Sequence, residues 1–307
     1  MAPRIFLSLL SVCFGAVFIY SAYTKLNPVQ VFEYTLVEFM HLPWWLSAIL
    51  ARLMTGIEIA IGALAILHFY GTKKWLLSAA IILLILFNAY LAYIWINFGN
   101  RVNCGCFGDA IWMNPGASIL KNCILIIAAI VLFKYRTGWK FTHAQKLTSG
   151  LFLILTFLPF FLFAIPENNP VWLKKDKFPL PLSAAYEPDN KITPSADILH
   201  GKHIIAFISP LCPHCRMAAH KMHIMKTANP SLPFFFIIGG TDSDLTDFWK
   251  ETKSQNIPFS RMKKNQFLSF TGGIFPQIYW VEDTTVVAKS TYLDLDQAQI
   301  EKWLSVH

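Results

Sequence analysis

Five stretches of about twenty residues each, almost free of charge, fill most of the first 165 residues of this 307-residue chain. They run approximately over Ile5–Tyr23, Trp44–Tyr70, Trp75–Phe98, Ala117–Phe133 and Leu147–Ile165. A run of that length and character matches the hydrocarbon thickness of a bilayer. Inside a bilayer there is no water to satisfy peptide groups, so the expected form is a transmembrane α-helix. The composition agrees, with 55% hydrophobic and only 14% charged residues. After Pro166 the chain turns polar, and strand and helix patterns mix. The expected architecture is an all-α transmembrane bundle of about five spans over 1–165, a proline-rich linker or irregular lead into the domain over 166–197 and an α/β domain over 198–307. Arg4 before the first span suggests a signal peptide, but no small-residue cleavage site follows, so the span is read as retained.

The net charge of +8 would suit nucleic acid, yet the basic residues lie mostly in short loops between spans, and no nucleic-acid partner is expected. If the spans alternate, Arg4, Lys73, Lys74, Lys134, Arg136, Lys140 and Lys146 share one side. Lys25 and Arg101 fall on the other, with Lys121 if a residue just inside the fourth span is counted. The positive-inside rule then puts the N-terminus in the cytoplasm. An odd number of spans puts the C-terminal domain outside, in the periplasm if the membrane is a bacterial inner membrane. Around the spans, Lys25 is expected to snorkel and Pro28 to end the first helix. Val29–Met40 is expected as a short amphipathic interfacial helix.

Six cysteines divide into two close pairs and two single residues. Cys212-Pro213-His214-Cys215 follows the apolar run Ile204–Ile208 and precedes a helical pattern from Arg216 to Lys226. A thiol at a strand-to-helix turn meets the positive end of a helix, which favours thiolate and so thiol–disulfide exchange. Cys212 is the expected attacking thiol, Cys215 the resolving one, and His214 a stabiliser of the Cys212 thiolate. Cys104-Gly105-Cys106 lies in the loop between the third and fourth spans, on the same side as the C-terminal domain. A bond between cysteines so close would be readily exchanged, and Gly105 leaves room for an approaching thiolate.

Cys13 and Cys123 lie inside spans and are read as small buried hydrophobes, with transmembrane electron transfer as the alternative. Glu58, near the middle of the second span, is costly there. It is expected either to relay a proton or touch a quinone headgroup, or to pair with Arg52 or Lys25. Asn88 is expected to hydrogen-bond between helices. His220 and His223 are read as packing residues.

The C-terminal pattern is β-α-β-α-β-β-α. Strands are expected at His203–Ser209, Phe234–Ile238, Gln277–Val281 and Val286–Ser290, and helices at Cys212–Lys226, Ser243–Gln255 and Asp296–Leu304. Asp242 or Ser243 and Asp296 are the candidate caps. This order around a strand-end CxxC resembles the thioredoxin fold. Pro276, in Gly273-Ile274-Phe275-Pro276 before a strand, matches the cis-proline of that family and is implied to face the dithiol. The long spacing from Cys215 resembles the TlpA-type branch, and the Pro-His interior resembles the DsbA dithiol. Leu211 stands where thioredoxins carry tryptophan.

The membrane half, over roughly residues 1–140, is similar to the MauE/DoxX-like family. The similarity rests on Cys104-Gly105-Cys106-Phe107-Gly108-Asp109 and on Ser21–Pro28. That resemblance implies redox work on thiols outside the membrane. The combined expectation is a protein dithiol–disulfide oxidoreductase of the bacterial inner membrane. Cys212 and Cys215 would serve periplasmic clients, and Cys104 and Cys106 would re-poise them in the oxidising direction. No covalent cofactor and no metal are expected, and a quinone is the candidate electron acceptor. Two alternatives stay open. One is a reductive relay through Cys13 and Cys123, as in CcdA-like proteins; the other is a copper(I)-handling module built on the thiolates and His214.

Overall fold

The computed structural model describes residues 2–71, 74–108, 111–135, 138–139, 143–165, 170–173, 177–187, 190, 192–239 and 243–306. Lys73, Asp109, Arg136, Lys140, Pro166, Pro188 and Asp242 lie outside the described residues. The chain forms two compact units, Met1–Ile165 and Pro166–His307.

The first unit is helical: α1 (Ala2–Leu26), α2 (Val29–Met40), α3 (Trp44–Ile66), α4 (Trp75–Phe98), α5 (Pro115–Tyr135) and α6 (Ala144–Leu162). All but α2 are long and apolar enough to cross a membrane, which makes five spans among the described residues. The second span ends earlier than the sequence suggests. Residues 67–70 turn instead, with His68 in the left-handed region at φ 60°.

Small residues let these helices approach. A Cβ on Gly15 of α1 would lie 2.5 Å from the Gly62 carbonyl of α3, and one on Gly62 would lie 2.7 Å from the Gly15 carbonyl. A Cβ on Gly56 would meet the Thr156 carbonyl of α6. In lipid, where apolar burial no longer drives association, such close contact supplies the packing attraction. The short helix α2 is no surface helix. Val29, Phe32, Glu33, Leu36 and Val37 are among its buried residues, and its apolar side packs with Leu26 and Ala51.

A buried cation ties three of these helices. Arg52 of α3 donates to Glu33 Oε1 of α2 at 2.6 Å and to the Ala48 carbonyl at 2.8 Å. It also reaches the Phe163 and Ala164 carbonyls, at 2.6 and 3.2 Å, just beyond α6. A guanidinium in so dry a place is tolerable only because these acceptors satisfy it.

The second unit is a mixed sheet of β1 (Val171–Trp172), β2 (Phe178–Pro179), β3 (Lys202–Ile208), β4 (Phe234–Ile238), β5 (Phe259–Arg261), β6 (Gln277–Glu282) and β7 (Thr285–Ser290). Its order is β1-β7-β6-β3-β4-β5, with β2 also on β7. β3 runs parallel to β4 and antiparallel to β6. Helices α7 (Pro213–Ala228), α8 (Ser243–Thr252), α9 (Lys264–Thr271) and α10 (Gln297–Ser305) complete the unit. β3 and β4 read as unbroken apolar runs because both faces are covered, which is the pattern of central parallel strands. Asp296 caps α10 by accepting the Gln299 N–H at 3.0 Å.

Two expectations need correction. The segment 166–197 is not only a linker. Val171–Trp172 pairs with Lys289–Ala288, Phe178–Pro179 pairs with Val286–Thr285, and Leu180, Leu182 and Ala185 join the domain core. The prolines keep these strands short and at the edge, where a missing N–H costs no ladder bond. The expected pattern also lacked β5 and α9, which lie between the dithiol helix and Pro276.

Candidate functional site

The CxxC pair takes its geometry from a helix start. β3 ends at Ile208, the chain turns with the Cys212 N–H on the Ser209 carbonyl at 3.1 Å, and α7 begins at Pro213. Proline suits that first helical position because its missing N–H would have no intrahelical partner anyway. Cys212 is the N-cap, and its sulfur accepts the Cys215 N–H at 3.4 Å. It is half-buried, and its thiol donates to the Phe275 carbonyl at 3.7 Å. That contact puts Pro276 beside the dithiol, and the Phe275–Pro276 peptide bond is cis.

Cys215 is fully buried, with its sulfur accepting the Ser209 N–H at 3.3 Å. Burial raises its pKa, so it holds its proton. His214 is exposed, and its ring stacks on Tyr292 with centroids 5.4 Å apart and planes 20° from parallel. The Tyr292 phenol is pushed up by burial and then by the nearby Cys212 charge. Leu211, just before Cys212, and Ile274, just before the Phe275 whose carbonyl meets Cys212, are exposed apolar residues, at 67% and 69%.

The CxC pair is built by a loop folded onto α1. Gly108 and Gly105 adopt left-handed φ of 54° and 69°, and the Gly108 N–H closes a turn on the Gly105 carbonyl at 3.1 Å. A Cβ on Gly108 would come within 2.5 Å of the Thr24 carbonyl. Asn103 braces the turn, its Oδ1 accepting the Gly105 N–H at 3.3 Å and its Nδ2 reaching the Gly108 carbonyl at 3.3 Å. Cys104 is buried, with its sulfur 3.0 Å from Ser118 Oγ at the start of α5.

The two thiols hydrogen-bond to each other, which splits their acidities. Cys104 gives the hydrogen bond and is also buried beside the Cys106 charge, so its pKa rises. Cys106 receives that bond and feels Lys121 and Lys25; against the cost of burial it is lowered to about 6. The CxC motif thus has a defined polarity, with the proton on Cys104 and the negative charge on Cys106.

Cys106 also lines a small cavity inside the bundle, shared with Ser21, Lys25, Glu58, Lys121 and Asn122 on its polar side. At about 20 Å³ it has room for a water molecule but not for a larger ligand. Lys25 Nζ pairs with Glu58 Oε1 at 2.6 Å, and Ser21 Oγ donates to the Cys106 carbonyl at 3.1 Å. Of the two partners weighed for Glu58, Lys25 is the one it meets, since Arg52 is engaged with Glu33. Asn88 accepts from Asn122 Nδ2 at 3.0 Å, an interhelical bond between α4 and α5.

Cys13 and Cys123 differ from expectation. Both are exposed on the bundle and neither lines the cavity. A bilayer solvates small apolar side chains, so an outward position costs them nothing. His220 and His223 bond to the Thr252 carbonyl and to Asn256 Oδ1. Among the described residues no group of three or more His, Cys, Asp or Glu side chains is arranged to hold a metal.

Sequence reasoning missed Tyr292, Ser118, Asn103 and the importance of Lys121. Only Lys121 carried a signal: it is a cation more than a turn inside an apolar helix, although it can be counted with the loop charges. Tyr292 and Ser118 meet their cysteines only through the fold.

Residues 3–135 match the family described as Methylamine utilisation protein MauE. Protein TlpB of Flavobacterium psychrophilum is 28% identical over 288 residues, covering 78% of each chain. Among solved structures, the thioredoxin domain of a thiol-disulfide oxidoreductase from Bacteroides vulgatus aligns at 20% identity. It covers 35% of this chain and 81% of that one, with TM-score 0.31. A secreted Mycobacterium tuberculosis disulfide oxidoreductase homologous to E. coli DsbE aligns at 18% identity over 34% of this chain and 84% of that one, with TM-score 0.28. The sheet order and the cis-proline beside a helix-capping CxxC make the second unit thioredoxin-like in their own right. The chain is a multi-pass membrane protein that joins a MauE-like helical unit to a thioredoxin-like domain with a helix-capping CxxC pair.

Proposed function

We propose that the protein oxidises the thiols of client proteins outside a bacterial inner membrane. Its N-terminus is in the cytoplasm, and its thioredoxin-like domain and the CxC loop are in the periplasm. A client thiolate attacks the Cys212–Cys215 disulfide at Cys212, forming a mixed disulfide and releasing Cys215 as the leaving thiol. A second client thiol resolves the mixed bond, so the client leaves oxidised and the Cys212–Cys215 pair is left reduced. The Cys104–Cys106 disulfide then takes up the two electrons, and a quinone-class acceptor from the bilayer removes them.

The observation that carries this reading is the division of labour within each pair. Cys212 is accessible at a helix cap while Cys215 is buried. Cys104 keeps a proton while Cys106 carries charge. Such asymmetry suits exchange, which needs one attacking and one resolving sulfur. The setting of Cys106 among membrane helices, rather than in solvent, supports an acceptor that arrives through lipid.

The test is the redox state of Cys212–Cys215 in intact cells, read by alkylating free thiols in the wild type and in Cys104→Ser. The pair should be oxidised in the wild type and accumulate reduced in the variant. The opposite pattern would reverse the flow. Identical states would uncouple the two pairs and end the proposal.

A further inference from the structure

Lys121 is a cation on the wall of a buried cavity, and its carboxylate balance is already spoken for. Lys25 and Glu58, both nearly inaccessible, neutralise each other at 2.6 Å. Lys25 is held further between the Phe32 and Phe87 rings, with centroids 5.2 and 4.8 Å away. Lys121 lies over the Phe107 ring at 4.4 Å, and among the described residues it has no carboxylate ion pair. With Glu58 engaged by Lys25, the group in the cavity that can supply a second negative charge is the Cys106 thiol.

The groups acting on Cys106 can be taken element by element. They are Lys25 from α1, Lys121 and Ser118 from α5 and Cys104 within the loop; Glu58 from α3 shares the cavity, and Tyr90 of α4 feels the charges of Cys106, Cys104 and Glu38 of α2. The cavity lining holds two lysines and one carboxylate, Glu58, so one positive charge is left over, and a Cys106 thiolate makes the sum zero. An isolated charge in such a medium is costly, so a cavity that balances only with the thiolate favours it.

We propose that Lys121 is the counterion of the Cys106 thiolate, so that reduction of the Cys104–Cys106 bond takes up two electrons and one proton instead of two. The S–S bond breaks; Cys104 receives the proton and becomes a thiol, and Cys106 remains a thiolate opposite Lys121. When a dithiol of the C-terminal domain supplies the electrons, it loses two hydrogens as its own disulfide forms. One proton ends on Cys104 and the other goes to water. Lys121 is a positioning residue in this scheme, since it never bonds to sulfur. The inference rests on the reading that Cys104 and Cys106 cycle between dithiol and disulfide.

Proton count is measurable. Full-length protein in detergent is equilibrated with thiol–disulfide buffers of known poise across about pH 6.5–8, a window between the lowered Cys106 value and that of an ordinary cysteine. The oxidised fraction of Cys104–Cys106 is read by alkylation and peptide mass spectrometry, after correction for the buffer's own protons. With one proton the equilibrium constant changes about tenfold per pH unit, or roughly 30 mV; with two it changes about a hundredfold.

Wild type and Lys121→Arg should follow the tenfold slope, and Lys121→Met the hundredfold one. A hundredfold slope in the wild type overturns the inference while leaving the oxidoreductase reading intact, and it needs no variant to fold. A tenfold slope in Lys121→Met removes Lys121 from the role. A Cys104–Cys106 bond that forms at no poise overturns both the inference and the reading beneath it. Lys121→Gln serves as a second neutral variant.

Discussion

At the scale of single residues, the two cysteine pairs are alike in logic and opposite in means. In the thioredoxin-like domain the fold hides one sulfur and caps a helix with the other. Burial raises Cys215, so at neutral pH it is protonated as well as inaccessible. Brief treatment of the reduced protein with a maleimide at pH about 7.5 should therefore label the Cys212–Cys215 peptide once, on Cys212. Equal labelling of both sulfurs, seen by peptide mass spectrometry, would contradict this.

In the CxC loop the asymmetry comes from charge. Cys106 is lowered to about 6, so its reactive thiolate is lost only as the pH falls through that value. In Cys104→Ser, which keeps a hydrogen-bond donor beside Cys106, the alkylation rate should be nearly flat from pH about 7 to 9 and drop about tenfold by pH 5. An ordinary cysteine would keep gaining rate up to pH about 8.5. The motifs themselves are plain in the sequence. Their environments are not, because Ser118, Lys121 and Tyr292 reach the cysteines across helix and strand packing that no local spacing encodes.

At the scale of elements, the apolar helices were legible because length and hydropathy alone decide whether a segment can satisfy its backbone in lipid. The short α2 was legible as a helix but not as a buried one. Its fate depends on Arg52, two residues beyond Leu50 in the next helix, which needs Glu33 as its partner. Glu33→Gln leaves that guanidinium with a neutral partner, and the expected cost is about 3–5 kcal/mol, read as a lower melting temperature in detergent. Replacing both Glu33 and Arg52 by Leu should recover much of the loss.

The α1–α3 crossing makes a second demand. Gly62→Val would place branched carbons where the Gly15 backbone already sits, and it should separate the helices that carry Lys25 and Glu58. Loss of that ion pair should then slow re-oxidation of the CxC pair even where the protein still inserts. In the domain, the strands with unbroken apolar runs were found within a residue or two. The three-residue β5 and the eight-residue α9 are too short to display a period, and the proline-rich lead looked like tether because edge strands so brief leave no alternation to read.

At the scale of the whole molecule, the proposal most exposed to refutation is that five spans and a basic bias in alternate loops would put both cysteine pairs in one compartment. A membrane-impermeant maleimide should label Cys212 in reduced spheroplasts without permeabilisation. Labelling only after lysis would place the domain in the cytoplasm and remove the oxidising environment that the proposal needs.

The sheet adds a constraint on how a client can be held. One outer strand is the two-residue β1, beside it β2 contains Pro179, and at the far side the three-residue β5 already bridges Ile192. Among the described residues, neither border offers a run of free backbone partners long enough to template an added strand. On the proposed function, a client polypeptide would therefore be gripped chiefly around the sulfur itself and the exposed Leu211 and Ile274 nearby. Such a guest would lose most of its hold the moment the mixed bond is resolved, so release would come from the same chemical step that completes the exchange.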